Sequence, residues 1–419
     1  MRQLYHSVTL EVGSSLDMRL TDFISPKNIG LPHIRKLDLY LAEVLDKCNQ
    51  LQQANFAIRM ILTMLPEDIL DQFCWRPWHA FSADNLQLLY RKQRRMKWLE
   101  GIALDRDNAL QEMEKWKDWH ADGFFKSVRK LGLYPDSVPV LDFCAALLKK
   151  SEKVEKITLH ASFDEEPENG APTMRELNDS STGPGEDLRF LLVMSIMLTK
   201  TLGLISRTIF AHMMPFDKCT PLTLRDLTLQ KIHLRYAADT YCKVVDFRTL
   251  KALRVFGCPG ADSLFAELSK SQALPEKLET LEVKHNDNPE NDLLNALDGF
   301  LCLVSGVKAL TMDVCYAKTM PASAGIVRHF KTLKEVNVHA SRGDGEEEEL
   351  VYEAEDFQKI CNNCTKIEQL SCAFPQTSVI RSPSDQFAAF TVSFIHFDLN
   401  FPIKLTASFR STSNPSRIS

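Results

Sequence analysis

The closest pair of potentially reactive side chains is Cys361 and Cys364, in the tetrapeptide CNNC. A CxxC pair could ligate zinc or cycle between thiol and disulfide, but a zinc site needs a second pair of ligands. No second pair is present, and the eleven cysteines are an odd number scattered along a long chain. We therefore predict reduced thiols without a bound metal, and a structural role for Cys364 at the end of a helix.

The histidines offer no clearer catalytic pattern. All eleven are dispersed, and the sequence contains no phosphate-binding loop, dinucleotide fingerprint, nucleophile elbow or zinc-protease helix. His160 and His339 fall at predicted outward strand positions, where a binding or solvated role is more common than catalysis. A hydrolase with a Cys-His pair stays an alternative, because two distant residues can meet in a fold. The main prediction is a non-enzymatic protein without a cofactor.

Composition limits the possible partners. With 419 residues, 44% of them hydrophobic, and a net charge of -5, the chain can bury a large core and gives no global reason to expect nucleic acid. The apolar run between Arg189 and Lys200 is shorter than the roughly 20 residues of a membrane span. The first residues lack a signal-peptide pattern. We expect a cytoplasmic or nuclear protein that binds neither membrane nor nucleic acid.

One local basic run is predicted to be a solvated helix face: Arg91, Lys92, Arg94, Arg95 and Lys97.

A repeat supplies the elements that could position a site. The stretch LKALRVFGC at 250–258 fits the leucine-rich pattern L-x-x-L-x-L-x-x-N/C. We number each repeat from its first apolar residue, so that Leu250, Leu253 and Val255 occupy positions 1, 4 and 6. Most intervals between first positions match the roughly 20 to 29 residues of such repeats. The twelve first positions are Tyr5, Ile34, Leu70, Leu99, Val128, Val154, Leu224, Leu250, Leu278, Val307, Leu333 and Ile367.

The segments between these strands have helical periodicity. Apolar residues recur at three- and four-residue spacing in 261–271, 290–306 and 352–364. Position 9, which should hydrogen-bond the turn after the strand, holds Cys258, Asn286, Cys315 and Ser341 in four successive repeats. The sequence therefore predicts an α/β leucine-rich repeat solenoid, with a curved parallel sheet inside and helices outside. Its strands should be centred near Leu37, Ile102, Leu131, Ile157, Leu227, Leu253, Leu281, Leu310, Val336 and Leu370.

One interval of 70 residues, from Val154 to Leu224, interrupts the period. It holds a polar loop, 164–186, and an apolar segment, 186–203. Removing the 18 residues of the apolar segment leaves 52, which equals two repeats of 26, so we hypothesise an insertion between repeats. The predicted regions are N-terminal repeats 1–163, an insert 164–204, C-terminal repeats 205–375 and an irregular tail 376–419.

The strand alternation predicts a binding face. If positions 1, 4 and 6 face the core, positions 3, 5 and 7 point outward from the sheet. We expect these outward residues to form one continuous protein-binding patch, which mixes charges with an aromatic ring. The alternative is that a partner binds the loop at 164–186. The predicted site residues are Arg254, Phe256, Glu282, Lys284, Thr311, Asp313, Asn337 and His339.

Four segments resemble fungal F-box/leucine-rich repeat proteins: LYHSVTLEV (4–12), NIGLPHIRKLDLYLAEV (28–44), WHAFSADNLQLLYRKQRRMKWLEGIALDR (78–106) and RYAADTYCKVVDFRTLKALRVF (235–256). The resemblance implies the substrate-recognition part of an SCF-type ubiquitin ligase receptor. Its partners would be a protein substrate and, through an F-box, the cullin-ligase adaptor. The alternative from another functional class is a stand-alone repeat scaffold without a ligase.

We also expect this chain to differ from complete members of the family in one respect. Complete members carry a helical F-box before the repeats, whereas Met1 here stands almost directly before the first matching segment, so we expect the F-box to be missing from this chain. The stretch MLPEDILDQF at 64–73 resembles an F-box opening but is in phase with the repeat that starts at Leu70. We predict that it belongs to the repeat.

Overall fold

The structure is a computed structural model, and it divides the chain into two compact units, Met1–Lys277 and Leu278–Ser419. The boundary falls inside the region predicted as C-terminal repeats. The described residues are 5–12, 18–25, 27–41, 47–75, 81–100, 127–134, 144, 148, 151, 153–160, 222–232, 234–235, 238–270, 274–287, 292–343 and 350–373.

Eight strands form a parallel sheet in the first unit, and each pairs with the next one in the sequence. The strands are β1 (Ser7–Val12), β2 (Lys36–Leu41), β3 (Gln72–Trp75), β4 (Trp98–Glu100), β5 (Lys130–Leu133), β6 (Lys156–His160), β7 (Asp226–Gln230) and β8 (Ala252–Phe256). The described helices of this unit are α1 (Met18–Phe23), α2 (Lys47–Met64), α3 (Ala83–Lys92), α4 (Ala238–Val244) and α5 (Ala261–Lys270).

The second unit repeats this plan with four parallel strands in sequence order. They are β9 (Thr280–Asn286), β10 (Ala309–Cys315), β11 (Glu335–Ala340) and β12 (Gln369–Cys372). Its described helices are α6 (Leu293–Leu303), α7 (Ser323–Val327) and α8 (Ala354–Asn363). Strands alternate with helices where the structure describes the connecting segments, which confirms the predicted α/β repeat fold with a parallel sheet and helices beside it.

The repeat pattern explains which side of each sheet is buried. Leu37, Phe73 and Leu131 hold position 4 in their strands, and all three are fully buried. Register pairing stacks position 4 of one strand on position 4 of the next, as in Leu281, Leu310 and Val336 of the second unit. A parallel ladder keeps equivalent residues level, so the apolar residues at position 4 form a continuous row in the core.

The fourth repeat corrects the predicted frame. Leu99 pairs in register with Phe73 and Leu131, both at position 4, so Leu99 holds position 4 rather than position 1. Position 1 is Met96, which is 2% exposed. The prediction of a strand centred at Ile102 is therefore wrong, and Ile102 itself lies outside the described residues. Because position 6 of the true frame is Gly101, the pattern was hidden behind the apolar Leu99, Ile102 and Leu104.

Strands β6 and β7 are direct neighbours in the sheet, although a long interval of the sequence separates them. Residues Lys156–His160 of β6 pair directly with Asp226–Gln230 of β7. The hypothesised insertion of the segment 186–203 between repeats stays a prediction. The loop 164–186, the segment 186–203 and the tail 376–419 lie outside the described residues. Within the described ranges, no helix is both long and apolar enough to cross a membrane.

The connecting segments match the predicted elements. Helices α5, α6 and α8 lie within the segments 261–271, 290–306 and 352–364. The hydroxyl of Ser341, at position 9, donates to the carbonyl oxygen of Gly343 at 2.6 Å, and the Cys258 thiol donates to that of Phe256 at 3.4 Å. Two of the four position-9 side chains therefore bond backbone carbonyls at the strand end or in the turn.

Candidate protein-binding face

Six of the eight predicted site residues lie together on the outward face of the second unit. Buried Leu281 and Val283 alternate with the less buried Glu282 and Lys284 along β9, and β10 and β11 show the same alternation. Strand register then aligns the outward residues in two rows. Position 5 forms the row Glu282, Thr311 and Asn337, and position 7 forms the row Lys284, Asp313 and His339.

The position-7 row is joined by charge. Asp313 Oδ2 lies 3.3 Å from Lys284 Nζ, and Asp313 Oδ1 lies 3.0 Å from His339 Nδ1. One carboxylate therefore connects three strands with a separate oxygen for each neighbour. All three side chains are at least 32% exposed, so the contacts orient the row and contribute little to folding stability. The row presents mixed charge to solvent in a fixed arrangement.

Arg254 and Phe256, the other two predicted residues, lie on β8 of the first unit. They pair in register with Thr228 and Gln230 of β7, and both are half-buried. Their neighbour Ala252, at the outward position 3 of the same strand, is only 5% exposed. The outward face at the start of β8 is thus less open than strand alternation alone suggests.

The structure also reveals an outward cluster that the sequence analysis missed. The Glu100 cluster comprises Trp98 and Glu100 on β4, Lys130 and Gly132 on β5, and Tyr134 directly after β5. Trp98 Nε1 donates to Glu100 Oε2 at 2.8 Å, and the Tyr134 hydroxyl donates to Glu100 Oε1 at 3.0 Å. Two aromatic donors therefore hold one carboxylate against the sheet.

Gly132 makes room for this carboxylate. A Cβ atom at Gly132 would lie 2.5 Å from Glu100 Cγ and 3.1 Å from Tyr134 Cε2. Real Cβ contacts are not that short, so the side chain of Glu100 can cross over β5 only where the chain has a glycine. Glycine is therefore required at position 132 so that the Glu100 side chain can lie close to the backbone of β5.

Lys130 completes the cluster. Its ammonium lies 3.5 Å from the centre of the Trp98 ring and 3.7 Å from Glu100 Oε2. Burial lowers the pKa of Lys130, because a desolvated ammonium is disfavoured, and Glu100 opposes that shift. Neighbouring Lys156 also lowers the Lys130 pKa by charge repulsion. A cation-π contact and an ion pair together hold the amine in place.

His160 is outward on β6 as predicted but is only 6% exposed. Its ring meets the Tyr134 ring edge to face, with 5.8 Å between the centroids. A solvated surface role for His160 is therefore wrong, since this imidazole packs beside the Glu100 cluster.

The Glu100 cluster was missed in the sequence because the fourth repeat was read in the wrong frame. Trp98 and Glu100 fall at outward positions 3 and 5 only when Leu99 holds position 4.

The two thiols of the CNNC segment, half-buried Cys361 and buried Cys364, both have raised pKa values. Burial raises the pKa of Cys361 to about 12 and that of Cys364 to about 11. Redox and zinc-binding cysteines show the opposite shift, since they act as thiolates. Among the residues that the structure describes, no group of three or more His, Cys, Asp or Glu side chains is placed to hold a metal ion.

No family model matches the chain, and no curated protein matches it.

Proposed function

We propose that this chain is a non-enzymatic leucine-rich repeat protein that binds another protein on the outward face of its parallel sheet. The observation that carries the proposal is the in-register alignment of outward side chains on consecutive strands. In the second unit these rows run across β9, β10 and β11 and include Asp313 bound to both of its neighbours. Such rows offer a partner a broad surface whose polar groups are already oriented.

The chemistry of the outward face suits a protein partner. Arg and Trp residues are among the types that most often dominate protein-protein binding energy, and Arg254 and Trp98 are partly exposed at outward positions of the first unit. Side chains held by neighbours lose less conformational entropy on binding than free ones. Preorganised rows therefore support recognition better than an unstructured polar surface would.

For the biological setting, we propose the substrate-recognition part of an SCF-type ubiquitin ligase receptor. The support is the resemblance of four segments to fungal F-box/leucine-rich repeat proteins. The alternative is a stand-alone scaffold that binds a protein without a ligase. The genomic sequence directly upstream of the Met1 codon separates the two settings. An in-frame F-box pattern, L-P-x-E-[IL], supports the ligase setting, and a reading frame without that pattern supports the scaffold.

Site-specific photocrosslinking tests the binding face itself. A photoreactive amino acid replaces Asn337, which is exposed on β11, or Gln358, which is exposed on α8 of the same unit. In an extract from the source cells, we expect a discrete crosslinked protein from position 337 and none from position 358. Crosslinks from position 358 alone would move the partner to the helical side and overturn the proposal.

A further inference from the structure

Positions 2 and 3 of the first unit's repeats carry a concentration of positive charge that the repeat itself does not require. We call the residues at these two positions before and at the start of β2 to β8 the basic strip. It contains eight lysine or arginine residues against three carboxylates, a local charge of +5 in a chain of net charge -5. Its residues are Arg35, Lys36, Asp71, Gln72, Lys97, Trp98, Arg129, Lys130, Glu155, Lys156, Arg225, Asp226, Lys251 and Ala252.

Backbone hydrogen bonds between successive repeats align these residues in a row across the N-terminal ends of the strands. The amides of Lys97 and Trp98 both donate to the carbonyl oxygen of Asp71, at 2.8 and 3.0 Å. Those of Arg129 and Lys130 donate in the same way to Lys97, and the pattern continues from β2 to β8. Neighbouring strands lie about 4.8 Å apart, so the strip extends over about 29 Å.

The three carboxylates of the strip are engaged by its own cations. Lys97 Nζ lies 2.8 Å from Asp71 Oδ1, Glu155 contacts Arg129 and Arg225 at 2.5 and 3.6 Å, and Lys156 pairs with Asp226. These pairs still leave a positive excess. Lys36 and Lys251, which are outside these pairs, are exposed. The paired side chains of Lys97, Arg129 and Arg225 are still 61%, 56% and 62% exposed, so the positive charge of the strip faces solvent.

The second unit shows that the fold works without this charge. Its positions 2 and 3 have the same backbone ladder, in which the amides of Lys308 and Ala309 donate to the carbonyl oxygen of Glu279. Yet these positions hold two cations and three carboxylates, a local charge of -1. They are Glu279, Thr280, Lys308, Ala309, Lys334, Glu335, Glu368 and Gln369.

We propose that the basic strip is the docking surface for an acidic segment of the protein partner, one rich in aspartate and glutamate. This inference rests on the proposed protein-binding function and adds the chemistry of the partner. Lys97, Arg129 and Arg225 would receive carboxylates, and the Trp98 ring, partly exposed at the middle of the strip, would supply an aromatic contact.

The interleaved carboxylates favour a peptide over nucleic acid. A phosphate backbone carries a charge on every unit and would meet Asp71, Glu155 and Asp226 along the same edge. A peptide can place neutral residues at those points and acidic residues opposite the cations. Charge complementarity of this kind also raises the association rate and makes it sensitive to salt.

Fluorescence anisotropy with a defined probe tests the assignment on the full chain. The probe is a fluorescein-labelled peptide of alternating glutamate and serine, about nine residues long, which spans about 29 Å when extended. The test variant combines Lys97→Glu and Arg129→Glu. The matched control combines Lys308→Glu and Lys334→Glu, which make the same charge change at position 2 of the second unit, where these lysines are 50% and 51% exposed.

We expect the test variant to bind the probe at least about tenfold more weakly than the unchanged chain, and the control to stay within about twofold. Equal losses in both variants, or no binding by the unchanged chain, would overturn the inference. So would tighter binding of a labelled single-stranded RNA than of the peptide at physiological salt. If the peptide fails while crosslinking from position 337 persists, only the acidic-partner assignment is lost and the proposed function stands.

Discussion

The outward faces of the two units use the same backbone plan for different surfaces. In the first unit, β4 and β5 carry Trp98, Glu100 and Lys130 in a sheltered cluster with buried Tyr134. In the second unit, β9 to β11 carry open polar rows in which Lys284 and Asn337 are exposed. Both sheets are parallel and stack position 4 on position 4. The inward positions therefore specify the scaffold, and the outward positions vary independently of it.

The difference shows how a single small residue changes a repeat surface. Gly132 leaves space for the Glu100 side chain to lie across β5, where two aromatic donors reach its oxygens. The equivalent outward residue of β10 is Thr311, whose side chain occupies the position that Gly132 leaves open on β5. A sheltered carboxylate needs both the gap and the donors, whereas open rows need only alternation.

The largest expected effect tests whether the two units share one kind of core. Leu281→Ala in the second unit and Leu131→Ala in the first should each lower the free energy of unfolding by about 2 to 5 kcal/mol, because each removes a buried leucine at position 4. Urea denaturation followed by circular dichroism measures the change. Glu282→Ala, on the outward face of β9, is the control and should change little. Similar losses from Leu281→Ala and Glu282→Ala would show that the inward and outward assignments are wrong.

The folding stability of the second unit should depend on pH. Burial lowers the pKa of His285 and His329 to about 4, below the ordinary value of 6.5. Below pH 6.5 the unfolded chain takes up protons that the folded chain does not, so stability should fall from pH 6.5 towards pH 4. The slope is at most about 1.4 kcal/mol per pH unit for each histidine.

Denaturant titrations at several pH values measure this slope. The His285→Gln and His329→Gln variants should each flatten it, whereas Lys284→Gln at an exposed neighbouring position should not. An unchanged slope in both histidine variants would remove these two groups as its source.

We expect a smaller change in the free energy of unfolding when the Glu100 cluster of the first unit is disturbed. Gly132→Ala should destabilise the first unit by about 1 to 3 kcal/mol, because its Cβ would lie 2.5 Å from Glu100 Cγ and force the carboxylate away from its donors. The control is Gly299→Ala in α6 of the second unit, where a Cβ meets nothing within 4 Å. That change should stabilise by about 0.5 to 1 kcal/mol, as alanine favours helix. Opposite signs are expected in thermal unfolding, and two equal stabilisations would contradict the role of Gly132.

The smallest effect on stability should come from the outward residues of β8. Arg254→Ala combined with Phe256→Ala should leave the melting temperature nearly unchanged, since both side chains are half-buried at outward positions. The same pair should weaken capture of the protein partner, because arginine and aromatic residues often dominate binding. Quantitative pull-down of the crosslinked partner measures the loss. Undiminished capture, together with a loss on deleting residues 164–186, would place the binding site in that loop.

Much of the scaffold could be predicted because it follows local rules. Leu253 and Val255 alternate with outward residues, and the 26- to 29-residue spacing of such strands predicts a parallel sheet with helices alongside. The same alternation placed Glu282, Thr311 and Asn337 in one outward row, which their register bears out. Inward apolar residues recur in a fixed frame, since each strand must bury the same face. The apolar pattern of a repeat therefore predicts which of its residues face the core.

Other features depended on contacts between repeats. In sequence, Leu99 fits position 1 better than position 4, because the second frame places Gly101 at position 6, and only the pairing of Leu99 with Phe73 and Leu131 assigns it to position 4. The pairing of β6 with β7 across a long interval and the burial of His160 beside Tyr134 were likewise decided by the fold. The sequence by itself determined the repeating scaffold, because apolar periodicity acts within one repeat. Only the tertiary structure decided the Glu100 cluster, because its members come from neighbouring repeats and meet through register.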